Sequence, residues 1–261
     1  MHIARFAHGD TVSYGLVDRL DGVTPTEESV ILPITGHPVD IPEPTGEVLP
    51  LADVRLLAPI IPSKIIAVGR NYAAHIAEMG GEVPTDPMIF LKPSTSVVGP
   101  GAPIVLPPES THVDHEAELA VVIGRIARHV SPEDADRYIL GYTCANDVSA
   151  RDFQKSDGQW GRAKGFDSFC PLGPWITLGL DPADLAISCT VNGEVRQDSS
   201  TALMIRDVAT LVSWISGVMT LLPGDVIITG TPSGVGPILP GDQVSVSIAG
   251  IGTLTNPVVA R

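Results

Sequence analysis

The segment HVDHEAELAVVIGR, residues 112–125, decides how this chain is read. Leu119-Ala120-Val121-Val122-Ile123 is apolar on both faces a strand would present, which marks a strand covered on either side. Just upstream, Glu116 and Glu118 stand two positions apart, so an extended chain sends both carboxylates off one face. Like charges at the mouth of a buried strand repel each other and resist desolvation. Either the segment is a solvated edge strand, or something neutralises the pair.

A third acid favours neutralisation. Asp147 ends the apolar run YILGYTCAND, much as the glutamates begin theirs. Three carboxylates at the ends of apolar segments, with no cysteine or histidine pattern, suit a hard divalent cation such as Mg²⁺ or Mn²⁺ better than zinc. Asp147 could also cap a helix beginning in VSARDFQ, and the two roles are compatible. His112 and His115 flank the glutamates, but HVDHE lacks the HExxH order on a helix that zinc proteases use. They read as surface or supporting histidines.

The 261 residues are 44% hydrophobic and 18% charged, enough for one large domain with a small appendage. Gly 26 and Pro 24 favour a turn-rich, β-rich fold over a helical one. A formal net charge of −14 makes nucleic acid an improbable partner, because phosphate binding needs a basic surface. There is no apolar run of membrane-spanning length, and MHIARFAHGD lacks the apolar core of a signal peptide. Cys144, Cys170 and Cys189 are odd in number and far apart, which fits buried thiols in a reducing cytoplasm. The only lysines are Lys64, Lys92, Lys155 and Lys164, all mid-chain, where an acidic protein that binds an anion would place its positive charge.

Strand signals outnumber helix signals, without regular βαβα alternation, so the class is mixed and β-rich (α+β). A hairpin turning at His8-Gly9-Asp10 opens a small N-terminal β-domain placed at residues 1–58, followed by the main domain at 59–261. In that domain NYAAHIAEMG reads as a short helix stopped by Gly80-Gly81, and Asn192-Gly193 marks a hairpin. SPEDADRY carries helix-start signals at Ser131 and Pro132, and residues 203–221 form an amphipathic helix. His75 and Glu78 share a helical face, an arrangement that serves either a solvated pair or a carboxylate orienting a general base. Lys164 lies in a loop between Gly161 and Gly165, which let backbone approach a ligand closely. GTPSGVG lacks the Gly-Lys-Ser/Thr of a P-loop; its amides and the Thr231 hydroxyl could hold a carboxylate.

Seven segments in series resemble the fumarylacetoacetate hydrolase family in its short bacterial form. They are VGRNYAAHIAEMG, PMIFLKPSTSVVGPGAPIVLP, DHEAELAVVIGR, GYTCANDVSARDFQ, RAKGFDSFCPLGPW, VNGEVRQDSSTALMI and GDVIITGTPSGVGP. The resemblance implies a twisted mixed β-roll with short helices, a homodimer, and one Mg²⁺ or Mn²⁺ held by Glu116, Glu118 and Asp147. It makes Lys164 the group that neutralises a developing oxyanion, and His75 with Glu78 the general-base pair on a lid helix. Arg70, Lys92, Gln154 and Thr231 would line the substrate pocket.

It also implies a small 2-oxo acid substrate and an enolate as the shared chemical step. Cleavage of a C–C bond is expected first, by acylpyruvate hydrolysis or oxaloacetate-type decarboxylation. Isomerisation of a hydroxyheptadienedioate or carboxymethyl-hydroxymuconate type in aromatic catabolism comes second. A catalytically silent metabolite binder is the rival from another class.

Overall fold

A computed structural model describes residues 1–40 and 42–261. The frame is a 13-stranded mixed sheet. Its central part runs Cys170–Thr177, Ile139–Asn146, Ala117–Ile123, Val226–Ile228, Ile65–Gly69, Met88–Lys92 in spatial order. The chain after Met88–Lys92 returns as Val97–Val98 in parallel with Cys170–Pro171, so the sheet curls back on itself as a roll. With only short helices beside it, this is the mixed β-roll architecture expected from the sequence.

Every residue of Ala117–Ile123 is buried, as its two-faced apolar pattern demands. Leu119, Val121 and Ile123 pack into the core shared with the second, five-stranded sheet; Ala120 and Val122 face the roll's other core. The antiparallel partner Ile139–Asn146 ends where Ala117–Ile123 begins, with Ala117 opposite Asn146. Val226–Ile228 also runs antiparallel to it, so the Gly230–Thr231 loop leaves the sheet at that same end. Register alone therefore gathers Glu116, Glu118, Asp147 and Thr231.

The N-terminal strands His2–His8, Thr11–Asp18 and Val30–Thr35 form an antiparallel meander. It extends the main sheet through pairing of His2–Ile3 with Ile176–Thr177. Its own small core holds Phe6, Val17, Ile31 and Leu51 against Trp175.

Three local readings are corrected. SPEDADRY forms a 3-10 helix over Pro132–Tyr138, where Ser131 bonds the Asp134 carboxylate instead of capping a backbone N–H. The long helix is confined to Val208–Val218, because the Asp207 carboxylate accepts from Thr210 N–H and fixes its start. Lys164 belongs to a one-turn helix, Gly161–Gly165, instead of an open loop. Among the described residues no helix is long and apolar enough to cross a membrane.

Candidate active site

Glu116 occupies the break between the strands Val113–His115 and Ala117–Ile123. Its backbone N–H donates to Asn146 Oδ1 at 2.9 Å, and its carbonyl accepts from Asp147 N–H at 2.9 Å. The break and the strand end are thus tied to each other before any ligand arrives. Oxygen atoms of Glu116, Glu118 and Asp147 lie within 4.8 Å of one another, and all three residues are buried. Asp147 does not cap the following helix: Arg151–Ser156 begins after Ala150, and Ser149 Oγ donates to the Asp147 carbonyl.

Cations are shared unequally among the three acids. Lys164 Nζ donates to Glu116 Oε2 and Asp147 Oδ2, both at 2.7 Å. Arg151 Nη2 stands 2.7 Å from Glu116 Oε1, and its Nε donates to Asp114 Oδ2 at 2.7 Å. Lys92 Nζ donates to Asp147 Oδ1. Glu118 receives only the backbone N–H of Gly230, at 2.6 Å, and forms no ion pair among the described residues. The electrostatics follow. Burial would raise the Glu116 carboxyl, but Lys164 and Arg151 outweigh it and hold the group well below the usual carboxylate range. For Glu118 burial dominates, Asp147 and Glu116 add repulsion, and the carboxyl is pushed well above that range. Burial disfavours the Lys164 ammonium, yet Asp147 and Glu116 more than restore it, so it stays charged.

That imbalance tests whether a divalent ion fits. The donor set is oxygen only, converged and buried, and one of its carboxylates, Glu118, makes no ion pair among the described residues. A hard cation meets each of these conditions.

These acids floor a cavity of about 240 Å³ lined also by Arg70, His75, Met79, Phe90, Arg151, Gln154, Trp160, Lys164 and Thr231. The short helix Ala73–Met79 covers it and ends at Gly80 in the left-handed conformation, φ 68°. His75 Nδ1 lies 3.4 Å from Glu78 Oε2, and Gly234 N–H donates to both Glu78 oxygens at 3.1 and 3.2 Å. Glu78 itself faces the adjoining cavity beyond Met79.

One pocket assignment and one hydroxyl role need correction. Lys92 is fully buried and lies off the cavity wall, behind Asp147, where it neutralises a carboxylate instead of meeting substrate. Thr231 does line the cavity, but its hydroxyl donates inward to the Ala117 carbonyl at 2.8 Å and accepts from Gln197 Nε2 at 2.7 Å. Its proton is therefore already committed and cannot be offered to a carboxylate. Arg151, Trp160 and Gln197 escaped the sequence reading. Arg151 carried one available signal, an arginine soon after a strand-ending acid; Gln197 carried none, sitting in the polar run EVRQDSS.

Similarity to known proteins agrees with this geometry. The family model for the fumarylacetoacetate (FAA) hydrolase C-terminal region matches residues 64–259, and an Rv2993c-like N-terminal model matches residues 1–59. A solved structure of a 5-carboxymethyl-2-hydroxymuconate delta-isomerase from Mycobacterium smegmatis is 55% identical, with TM-score 0.93 and full coverage of both chains, 100% each. The mitochondrial oxaloacetate tautomerase Fahd2a of Rattus norvegicus is 47% identical over 81% of this chain and 71% of its own. Maleylpyruvate hydrolase from Sphingobium sp. SYK-6, solved with manganese(II) and pyruvate, is 33% identical at TM-score 0.81, covering 100% of this chain and 99% of that one. The chain belongs to the fumarylacetoacetate hydrolase family.

Proposed function

We propose that the protein is a divalent-metal-dependent enzyme that moves a proton at the carbon next to the oxo group of a 2-oxo acid, interconverting enol and keto forms. The observation that carries this reading is a single imidazole, His75, lining the same cavity as a buried oxygen-ligand triad and a charged lysine. One base and one electrophilic centre suffice for proton transfer. The relatives named as isomerase and tautomerase lend it support at 55% and 47% identity.

Glu116, Glu118 and Asp147 would hold Mg²⁺ or Mn²⁺. When bound, the cation supplies an electrophile for the 1-carboxylate and 2-oxo oxygens and lowers the cost of negative charge there. Lys164, kept charged by Glu116 and Asp147, points a further N–H at that oxygen. His75 Nε2 takes or delivers the proton at C3, while Glu78 orients the ring through Nδ1. Phe90, Trp160 and Met79 give the cavity apolar lining, and Arg70 and Gln154 would offer polar groups to the substrate's far end. The proposal includes a homodimer, supported by the family resemblance and checked by light scattering.

Cleavage of a C–C bond is the second reading, favoured by the relative named maleylpyruvate hydrolase. It needs the same site plus a water activated by His75. The discriminating experiment supplies the Mg²⁺-loaded protein with enol oxaloacetate, acetylpyruvate and a hydroxymuconate-type diacid. Faster ketonisation without carbon dioxide release supports proton transfer; pyruvate released from acetylpyruvate supports cleavage. No reaction with any of them contradicts both and favours a metabolite binder.

A further inference from the structure

Gln197 is the one fully buried side chain of the strand Glu194–Ser200, whose neighbours are exposed or half-buried. That strand edges the five-stranded sheet, yet the Gln197 amide crosses to the main sheet beneath the carboxylates. Its partners fix which way the amide points. The Pro232 carbonyl, 2.9 Å away, can only accept, so Nε2 faces it and also donates to Thr231 Oγ1 at 2.7 Å. Ala117 N–H, 2.9 Å away, can only donate, so Oε1 faces that side. His115 Nδ1, 3.2 Å from the same oxygen, must then carry the ring proton.

Every hydrogen-bonding position of this amide is used, and each use bears on the site. His115 and Ala117 are the residues on either side of Glu116, so Oε1 grips the chain both before and after that carboxylate. Thr231 and Pro232 follow Gly230, whose N–H is the one hydrogen-bond donor to Glu118 among the described residues. Thr231 Oγ1 completes the ring by donating to the Ala117 carbonyl. Gly234, which holds Glu78, packs on the same strand: a side chain there would sit 2.1 Å from the Arg196 carbonyl.

We propose that Gln197 is the positioning residue of the metal centre, setting the backbone around Glu116 and the loop that bonds Glu118 from one buried amide. It touches neither substrate nor cation. It fixes where two of the three carboxylates stand, as outer hydrogen bonds do for metal ligands generally. The inference rests on Glu116, Glu118 and Asp147 being a cation site.

The test is Mn²⁺ titration of full-length protein by calorimetry, alongside the melting temperature of the metal-free form. Gln197→Met keeps the length and removes the amide; Val191→Ala trims a buried residue of the neighbouring strand as a stability control. Q197M is expected to weaken Mn²⁺ binding roughly 10- to 100-fold. V191A should melt earlier yet bind Mn²⁺ like wild type. If Q197M only melts earlier and binds Mn²⁺ normally, Gln197 is structural and the proposal is overturned. Should Q197M fail to fold, Thr231→Val removes the hydroxyl that links Gln197 to Ala117. Weakened Mn²⁺ binding supports the clamp, and unchanged binding overturns it. Wild-type protein that binds no Mn²⁺ would instead remove the cation site on which the inference rests.

Discussion

The Glu118 carboxylate accepts a 2.6 Å hydrogen bond from Gly230 N–H and forms no ion pair among the described residues, although two other buried acids crowd it. Glu116, two residues earlier, has both Lys164 and Arg151. At this site, among the described residues, four buried acids (Asp114, Glu116, Glu118, Asp147) thus face three buried cations (Lys92, Arg151, Lys164). Glu118 is the acid left over, and the site is built one cation short.

This imbalance sets a pH dependence. The folded-state carboxyl of Glu118 is raised above its ordinary 4.5, so the metal-free fold binds more protons than the unfolded chain over that interval. Its contribution is fully present below about pH 4.5 and is lost as pH rises through the folded value. A bound cation reverses the preference by favouring the carboxylate. The rise in melting temperature on adding Mn²⁺ should therefore grow from pH 5.5 to pH 7.5. Scanning fluorimetry with and without Mn²⁺ checks it, and a pH-independent rise would contradict it.

Removing that charge should separate stability from metal binding. Glu118→Gln keeps the acceptor for Gly230 N–H and deletes the repulsion. Its metal-free melting temperature is expected to equal or exceed wild type. Its Mn²⁺ affinity should fall about 100-fold or more, beyond the 10- to 100-fold cost of losing an outer partner. Calorimetry and thermal melts on the same preparation measure both.

Arg151 should behave oppositely. Its buried guanidinium meets Asp114 and Glu116, so Arg151→Met leaves Glu116 with Lys164 alone and Asp114 with only the half-exposed His112. A loss of about 3–5 kcal/mol is expected in urea unfolding of the metal-free protein. Much of it should return when Mn²⁺ is added, because the cation also neutralises Glu116.

His75→Ala should lower kcat about 10²- to 10⁴-fold with little change in KM, the range for loss of a general base. Glu78→Gln should cost less, since the ring stays in place and only its orienting charge is lost. Steady-state rates on enol oxaloacetate measure both.

The three thiols should be silent in the native state. All are buried, and burial pushes Cys170 and Cys189 up to about 12. Thiol reagents at pH 8 should label none of them before unfolding and all of them after it.

How far the sequence could be read follows from which residues act through backbone register and which through side-chain reach. The glutamates announce themselves because charge at the mouth of a two-faced apolar strand is a local contradiction, and Asp147 repeats it. Lys164 stands out through the scarcity of lysine. The short helix Ala73–Met79 and the Asn192-Gly193 turn are written in local chemistry, with Gly80, Asn192 and Gly193 all at positive φ. The resemblance put Lys92 on the pocket wall, whereas closure of the roll turns it inward to Asp147. Gln197 was hidden altogether: one buried position in a polar edge strand acquires meaning only when two sheets meet. The Thr231 hydroxyl was legible as a polar group in a glycine-rich turn, but not the direction of its proton.

The most direct test of the proposed proton transfer is deuterium uptake at C3 of oxaloacetate, followed by proton NMR in heavy water with Mg²⁺. The wild-type protein should accelerate exchange beyond Mg²⁺ alone, while Glu118→Gln and His75→Ala should not. Exchange that continues undiminished after exhaustive chelation, or in His75→Ala, would contradict the account.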